Sequence, residues 1–212
     1  MDEYITDIKE ISPKKVLIFI NDAPLFVLYK NEPEKLHIKP GESFRQDTKD
    51  MIFNEILYKR ALNRVLGLIR TRDHTVYEIK NKLNKEYYPE DIIIKITDEM
   101  LKQGFLNDRR YAENYIVLYS STKSNFFITQ NLLKKGISKN IIEEEIESYT
   151  VDNPENEERL IMQLLESKYK RNKSFENEHE KYKYLSKVYA YLQRKGFSYD
   201  KSERPVKEFF DT

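Results

Sequence analysis

The chain has 212 residues, of which 39% are hydrophobic and 34% charged, with only 5 Gly and 7 Pro. That length allows one long domain or two small ones, and the balance is that of a folded, charge-rich helical protein whose core is thin and spread along its length. No Cys is present, which excludes disulfides, thiolate metal sites and a cysteine nucleophile. No stretch reads as a signal peptide or a membrane span, so the expected compartment is the cytoplasm.

The formal net charge of +1 hides an uneven distribution: about −3 over residues 1–56, +6 over 57–135, −7 over 136–167 and +5 over 168–212. A basic body interrupted by one acidic segment suits an acidic partner, nucleic acid included, and equally suits solvated helix faces.

In chain order, Val16–Ile20 and Leu25–Tyr29 are two β-branched and aromatic runs around Asn21-Asp22-Ala23-Pro24, which predicts a β-hairpin with a four-residue turn. Tyr4–Ile8 is a candidate third strand. Both hairpin faces are apolar, so a cover is expected. Past Pro40-Gly41 the period becomes helical, and a continuous helix is expected from Thr48 to Ile69 with a bend near Gly67.

From there a weak internal repeat emerges. Ile79 and Leu83, Ile128 and Leu132, and Val188 and Leu192 are apolar pairs one helical turn apart, recurring after about 49 and then about 60 residues. After each pair comes a helix stop, an apolar residue, Pro or Ser, and a new helix start: Tyr88-Pro89-Glu90, Ile137-Ser138-Lys139 and Phe197-Ser198-Tyr199. Gly136 and Gly196 mark two stops, as a left-handed C-terminal cap requires, each after a Lys that suits the helix dipole. Thr75 with Glu78 forms a capping box, and Ser124, Ser138 and Ser198 are further N-cap candidates. Each repeat reads as three helices. Leu57–Ile69, Arg109–Tyr119 and Glu157–Tyr169 lead, and the last trailing helix runs from Asp200 to Phe209, with Pro205 arguing against its continuity. Loops are expected at Thr150–Glu155 and Arg171–Phe175.

Gly104-Phe105-Leu106-Asn107-Asp108-Arg109-Arg110-Tyr111-Ala112 closely resembles the signature joining the first and second units of the RecX family. Leu132–Ile137, Tyr191–Ser198 and Glu78-Ile79 resemble further family segments, in the family order, so the resemblance spans about Ala61 to Phe209. Glu86-Tyr87 departs from the basic residue and glycine usual at the first stop. Ser124 stands where the family commonly has glycine. The resemblance implies a mainly α fold: tandem three-helix-bundle repeats in an elongated curved array, with a small N-terminal β-sheet extension. The corresponding divisions are 1–50 for the strand-rich extension, 51–106 for the first repeat with its lead-in helix, 107–152 for the second and 153–212 for the third.

The resemblance further implies a regulator that binds the groove of the RecA–DNA filament and mostly inhibits recombinase and ATPase activity, touching DNA weakly or through the filament; a monomer is expected. The residues themselves call for no catalysis and no cofactor. His37, His74 and His179 are isolated and expected to be solvated, no glycine-rich phosphate loop occurs, and Glu143–Glu145 reads as a solvated helix start. Asp91 and Lys95 are spaced for an ion pair. Within the signature, Phe105, Leu106, Tyr111 and Ala112 should be core, Gly104 a cap and Asp108 an N-cap. Arg109 and Arg110 should point outward. The candidate partner-binding residues are Arg70, Arg72, Lys80, Lys82, Arg109, Arg110, Lys123, Lys134, Lys135, Arg194 and Lys195. A competing reading is direct DNA binding without RecA, since each repeat is the size of a helix-turn-helix module; the near-neutral net charge weighs against it.

Overall fold

The computed structural model describes residues 3–171 and 173–211; the expectations touching Met1, Asp2, Asn172 and Thr212 lie outside the described residues. The chain divides into two compact units between Asn107 and Asp108.

Unit 1 opens with an antiparallel sheet of β1 (Ile5–Ser12), β2 (Lys15–Ile20) and β3 (Ala23–Tyr29), in that order. The hairpin turn is tighter than expected. Asn21 and Asp22 take φ of 48° and 66°, which makes a two-residue turn whose twist matches the strands, and Ala23 and Pro24 join β3. Val16, Ile18, Phe26 and Leu28 are buried in one cluster with Ile52, Leu57, Ala61 and Val65. Leu17 is buried outside that cluster, and nearby on its strand Phe19 lies under the Lys9 ammonium at 4.5 Å.

A short α1 (Glu32–Lys35) precedes α2 (Gln46–Met51), which runs through a π-helical stretch, Ile52–Leu57, into α3 (Tyr58–Ile69). The irregularity of this long helix therefore falls at Ile52–Leu57 and not at Gly67, which sits within regular helix. Ile52 and Leu57, five residues apart, are both buried, and the wider π turn accommodates that spacing. α4 (Val76–Lys85) and α5 (Glu90–Lys102) complete the first three-helix group. Ala61 and Val65 of α3 meet Ile79 and Leu83 of α4 in the same core as the sheet.

Unit 2 holds two further groups: α6 (Asp108–Tyr119), α7 (Asn125–Lys134) and α8 (Lys139–Asp152), then α9 (Asn156–Lys168), α10 (Glu178–Arg194) and α11 (Tyr199–Asp211). Each has its own core, one around Ala112, Ile116, Ile128 and Leu132, the other around Ile161, Leu165, Val188 and Leu192. The apolar pairs of the repeat are thus buried in all three groups. The expected trailing helix forms as α11 with Pro205 inside it: the proline removes one helical N–H, yet Val206, Phe209 and Phe210 bury on the same helix and hold it together.

The three middle helices stop in the same way. Tyr88, Ile137 and Phe197 each donate a backbone N–H to the carbonyl of Leu83, Leu132 and Leu192, at 3.1, 3.2 and 3.1 Å. The residue before each is left-handed: Tyr87 at φ 59°, Gly136 at 79° and Gly196 at 85°.

Candidate partner-binding surface

The basic residues singled out in the sequence fall into local groups. In unit 1, Arg70 and Arg72 lie between α3 and α4, and Lys80 and Lys82 lie on α4. Arg72 approaches Glu78 at 3.5 Å. Glu78 also meets the Nδ1 of His74 at 3.1 Å, while its backbone N–H donates to the Thr75 hydroxyl at 3.1 Å. His74 is therefore not the solvated side chain expected. It is buried, and burial holds its imidazole below the ordinary value despite the opposing pull of Glu78. His37 and His179 are exposed.

In unit 2, Lys123 precedes Ser124 at the start of α7, and the Ser124 hydroxyl donates to the carbonyl of Lys195 at 2.8 Å. That bond sets the start of α7 beside the end of α10, while the Lys123 ammonium lies over the Tyr119 ring at 4.1 Å and that of Lys195 over Tyr191 at 5.9 Å. Ser124 holds the N-cap position but makes no capping bond of its own. The Glu157 carboxylate accepts from the Asn125 N–H instead, at 3.0 Å. Asn156 adds a third link between the two helix groups, its amide donating to the Ser120 carbonyl at 2.8 Å. Lys134 and Lys135 sit at the opposite end of α7, Lys134 exposed and the Lys135 ammonium over the Tyr111 ring at 5.3 Å.

Arg109 differs from expectation. Its guanidinium forks across α8, donating to Glu144 and to Glu145, the latter at 2.6 Å, and these bonds raise its pKa above the usual arginine value. The acidic run Glu143–Glu145 is thus the anchor of Arg109 as well as a solvated face. Phe105 is also corrected: it is 50% exposed, whereas Leu106 and Ala112 are buried and Tyr111 is half-buried. α6 begins at Asp108 itself, one residue before the expected start. Lys95 lies over the Tyr58 ring at 4.7 Å and makes no ion pair with Asp91.

Sequence reasoning missed a ladder of rings. Tyr111, Tyr115 and Tyr119 repeat every fourth residue on α6, with ring centroids 6.4 and 4.4 Å apart, and Lys123 covers Tyr119 at 4.1 Å. The spacing was available in the sequence as a signal. A second aromatic group joins Tyr169, Tyr184, Tyr191 and Phe210, with Lys168 over Tyr191 at 3.9 Å and Lys173 over Tyr184 at 4.0 Å. Among the described residues no cluster of acidic or imidazole side chains could hold a metal ion, and no helix is long and apolar enough to cross a membrane.

Comparison with known proteins gives these features a family. Residues 156–204, which hold α9, α10 and the start of α11, match the family model described as RecX, third three-helix domain. The regulatory protein RecX of Clostridium acetobutylicum is 31% identical over 173 residues, covering 82% of this chain and 79% of the relative. The chain belongs to the RecX family. The regulatory protein RecX of Clostridium botulinum (strain Eklund 17B) is 27% identical over 202 residues, covering 95% of this chain and 93% of that protein. In three dimensions the chain is similar to a crystal structure of regulatory protein RecX at a TM-score of 0.63, with 21% identity over 97% of this chain and 99% of the other. It is also similar to RecX from Lactobacillus salivarius, at a TM-score of 0.60 and 26% identity, over 72% of this chain and 96% of that one. The mainly helical architecture with a small N-terminal sheet is therefore that of RecX proteins.

Proposed function

We propose that this chain is a cytoplasmic, non-enzymatic regulator that binds in the groove of the RecA–DNA filament and restrains recombinase and ATPase activity. Membership of a family of regulatory proteins, over most of the chain, carries this reading. The contact residues proposed are basic: Arg70, Arg72, Lys80 and Lys82 in unit 1, and Arg110, Lys123, Lys134, Lys135, Arg194 and Lys195 in unit 2. Arg109 is the weakest of the candidates, because Glu144 and Glu145 already neutralise it. The most useful among them is Lys134 with Lys135, since they close one short helix and Lys134 is exposed to solvent.

The test is RecA-dependent ATP hydrolysis on single-stranded DNA, with the protein and with its K134E/K135E variant. The wild-type chain should slow hydrolysis, and the folded double variant should slow it much less. Equal inhibition by the two removes this pair from the contact surface. No inhibition by the wild-type chain sinks the reading itself.

A second reading, direct binding of nucleic acid, is favoured by the tyrosine ladder of α6 with Lys123 and Lys135 against its rings, a pairing of stacking faces and cations that suits single strands. Steeply salt-dependent binding to naked DNA in the absence of RecA would favour it over the first.

A further inference from the structure

A cleft of about 700 Å³ opens within unit 1 among β3, α3 and the turn from α4 to α5, lined by Lys15, Val27, Tyr29, Arg60, Arg64 and Tyr87 among others. Tyr87 is its unusual member. At the equivalent point of the other two middle helices the left-handed residue is glycine, for which that conformation is free of side-chain conflict. A bulky aromatic residue rarely occupies it. The stop of α4 would form with glycine just as well, so a ring in that place points to a use in the wall it forms.

The charges of the cleft narrow what could enter. Arg60 is held by Glu32 through both carboxylate oxygens and lies over the Tyr29 ring at 4.3 Å. Arg64 grips Glu86 through Nε at 2.9 Å and Nη2 at 2.6 Å. Both guanidiniums are neutralised where they stand. Lys15 is the lining cation left without a carboxylate among the described residues. A polyanion tracking the cleft would need a row of free cations. One free ammonium matches one carboxylate.

The strand bordering the cleft supplies the rest. β3 is an edge, with β2 as its neighbour in the sheet. Past its end, the Lys30 N–H donates to the Lys14 carbonyl at 3.0 Å, while the Tyr29 N–H turns the other way and is taken by Glu32 at 2.7 Å. Alternation along an antiparallel strand then puts the backbone N–H and carbonyl of Val27 on the open edge, where another strand could pair.

We propose that this cleft binds an extended peptide segment carrying a single carboxylate: its backbone pairs with β3 at Val27, its carboxylate meets Lys15, and an apolar side chain lies against Tyr87. The site uses none of the basic residues assigned to the filament, so its failure and the failure of the RecA reading are separate outcomes.

The full chain, labelled for NMR, is titrated with a short Thr- and Val-rich peptide bearing one central Glu, with its Gln counterpart, and with a thymidine oligonucleotide. The Glu peptide should shift the amides of Val27, Tyr29 and Tyr87. Affinity should fall about fivefold for the Gln peptide, or for the Glu peptide with the Lys15→Ala variant, the range of an exposed ion pair. Tyr87→Gly should cost about tenfold or more in affinity, as for an aromatic anchor, while keeping the fold, because glycine suits that turn. No shifts in the cleft with either peptide, shifts with the oligonucleotide alone, or unchanged affinity in Tyr87→Gly would each overturn the proposal.

Discussion

Single residues show where backbone and burial set stability. Tyr87 at φ 59° carries a left-handed conformation that costs an L residue about 1–2 kcal/mol. Part of that gain is offset by the greater freedom of glycine in the unfolded chain. Tyr87→Gly should therefore raise stability by about 0.5–1 kcal/mol, read as an upward shift of the urea midpoint; a fall would mean that the ring's packing outweighs the backbone term. Gly196 presents the opposite case. A Cβ there would stand 2.4 Å from the Ser124 hydroxyl and 3.1 Å from the rings of Phe126 and Phe127, in addition to the left-handed φ. Gly104 is left-handed too, but a Cβ there meets nothing within 4 Å. Gly196→Ala should thus destabilise the chain clearly more than Gly104→Ala, for which about 1 kcal/mol is expected; equal losses in urea denaturation would show that Ser124 and the two rings give way freely.

His74 adds a pH dependence at the same scale. Its folded value lies below the ordinary 6.5, chiefly through burial. The unfolded chain then binds the proton more readily, so protonation favours unfolding. The contribution of His74 to stability is whole above pH 6.5 and is lost as pH falls from there through the lower folded value. Thermal melts at pH 7.5 and at steps below 6.5 should show a fall that His74→Gln reduces. Identical pH profiles for the two proteins would show that the buried ring does not titrate in this window.

At the scale of elements, what the sequence disclosed was what is local. An apolar pair one turn apart, a glycine after a Lys and a Ser two residues later lie within about ten residues, and each is enough to end one helix and begin the next. The stops of α7 and α10 are legible for that reason, and α4 is legible from its apolar pair and the Pro89 that follows. Tyr87 hid the first stop's shared geometry, because left-handed backbone without glycine leaves no compositional trace. The two-residue turn at Asn21-Asp22 is hidden in the sequence because Ala23-Pro24 also has turn chemistry, although Pro24 pairs with Phe19 on the strand. The surface was less legible than the fold. Ser124 looked like a simple N-cap, yet its hydroxyl reaches the carbonyl of Lys195, 71 residues away, and a Glu157 carboxylate caps α7 in its place. Arg109 looks free in sequence because Glu144 and Glu145 stand 35 and 36 residues away and meet it only when α6 packs on α8. Long-range polar pairs of this kind carry no period, so a charge count over segments cannot tell a committed arginine from an available lysine.

At the scale of the whole chain, the hydrophobic interior is distributed and not pooled. The sheet and α3–α5 share one cluster within unit 1, while α6–α8 and α9–α11 of unit 2 keep separate clusters. Within unit 2 those two clusters are tied by polar bonds that include Ser124 to Lys195, Asn125 to Glu157 and Asn156 to Ser120, whose net worth is about 1 kcal/mol apiece. That is small beside the cost of emptying a core position, about 2–5 kcal/mol for Leu→Ala. The three equivalent leucines, Leu83, Leu132 and Leu192, are all fully buried and so make a matched set. Leu192→Ala should reduce amide hydrogen-exchange protection mainly across α9–α11, with a weaker effect where α7 begins, because a cluster held by its own contacts opens before a neighbour tied to it by a few hydrogen bonds. Leu132→Ala should do the reverse, and Leu83→Ala should act within α3–α5 and the sheet. Hydrogen exchange read by mass spectrometry resolves these segments. Uniform loss of protection across residues 108–211 in either unit 2 variant would show that the polar seam couples α6–α8 and α9–α11 into one cooperative block, and that the repeat is a pattern of sequence without being a unit of stability.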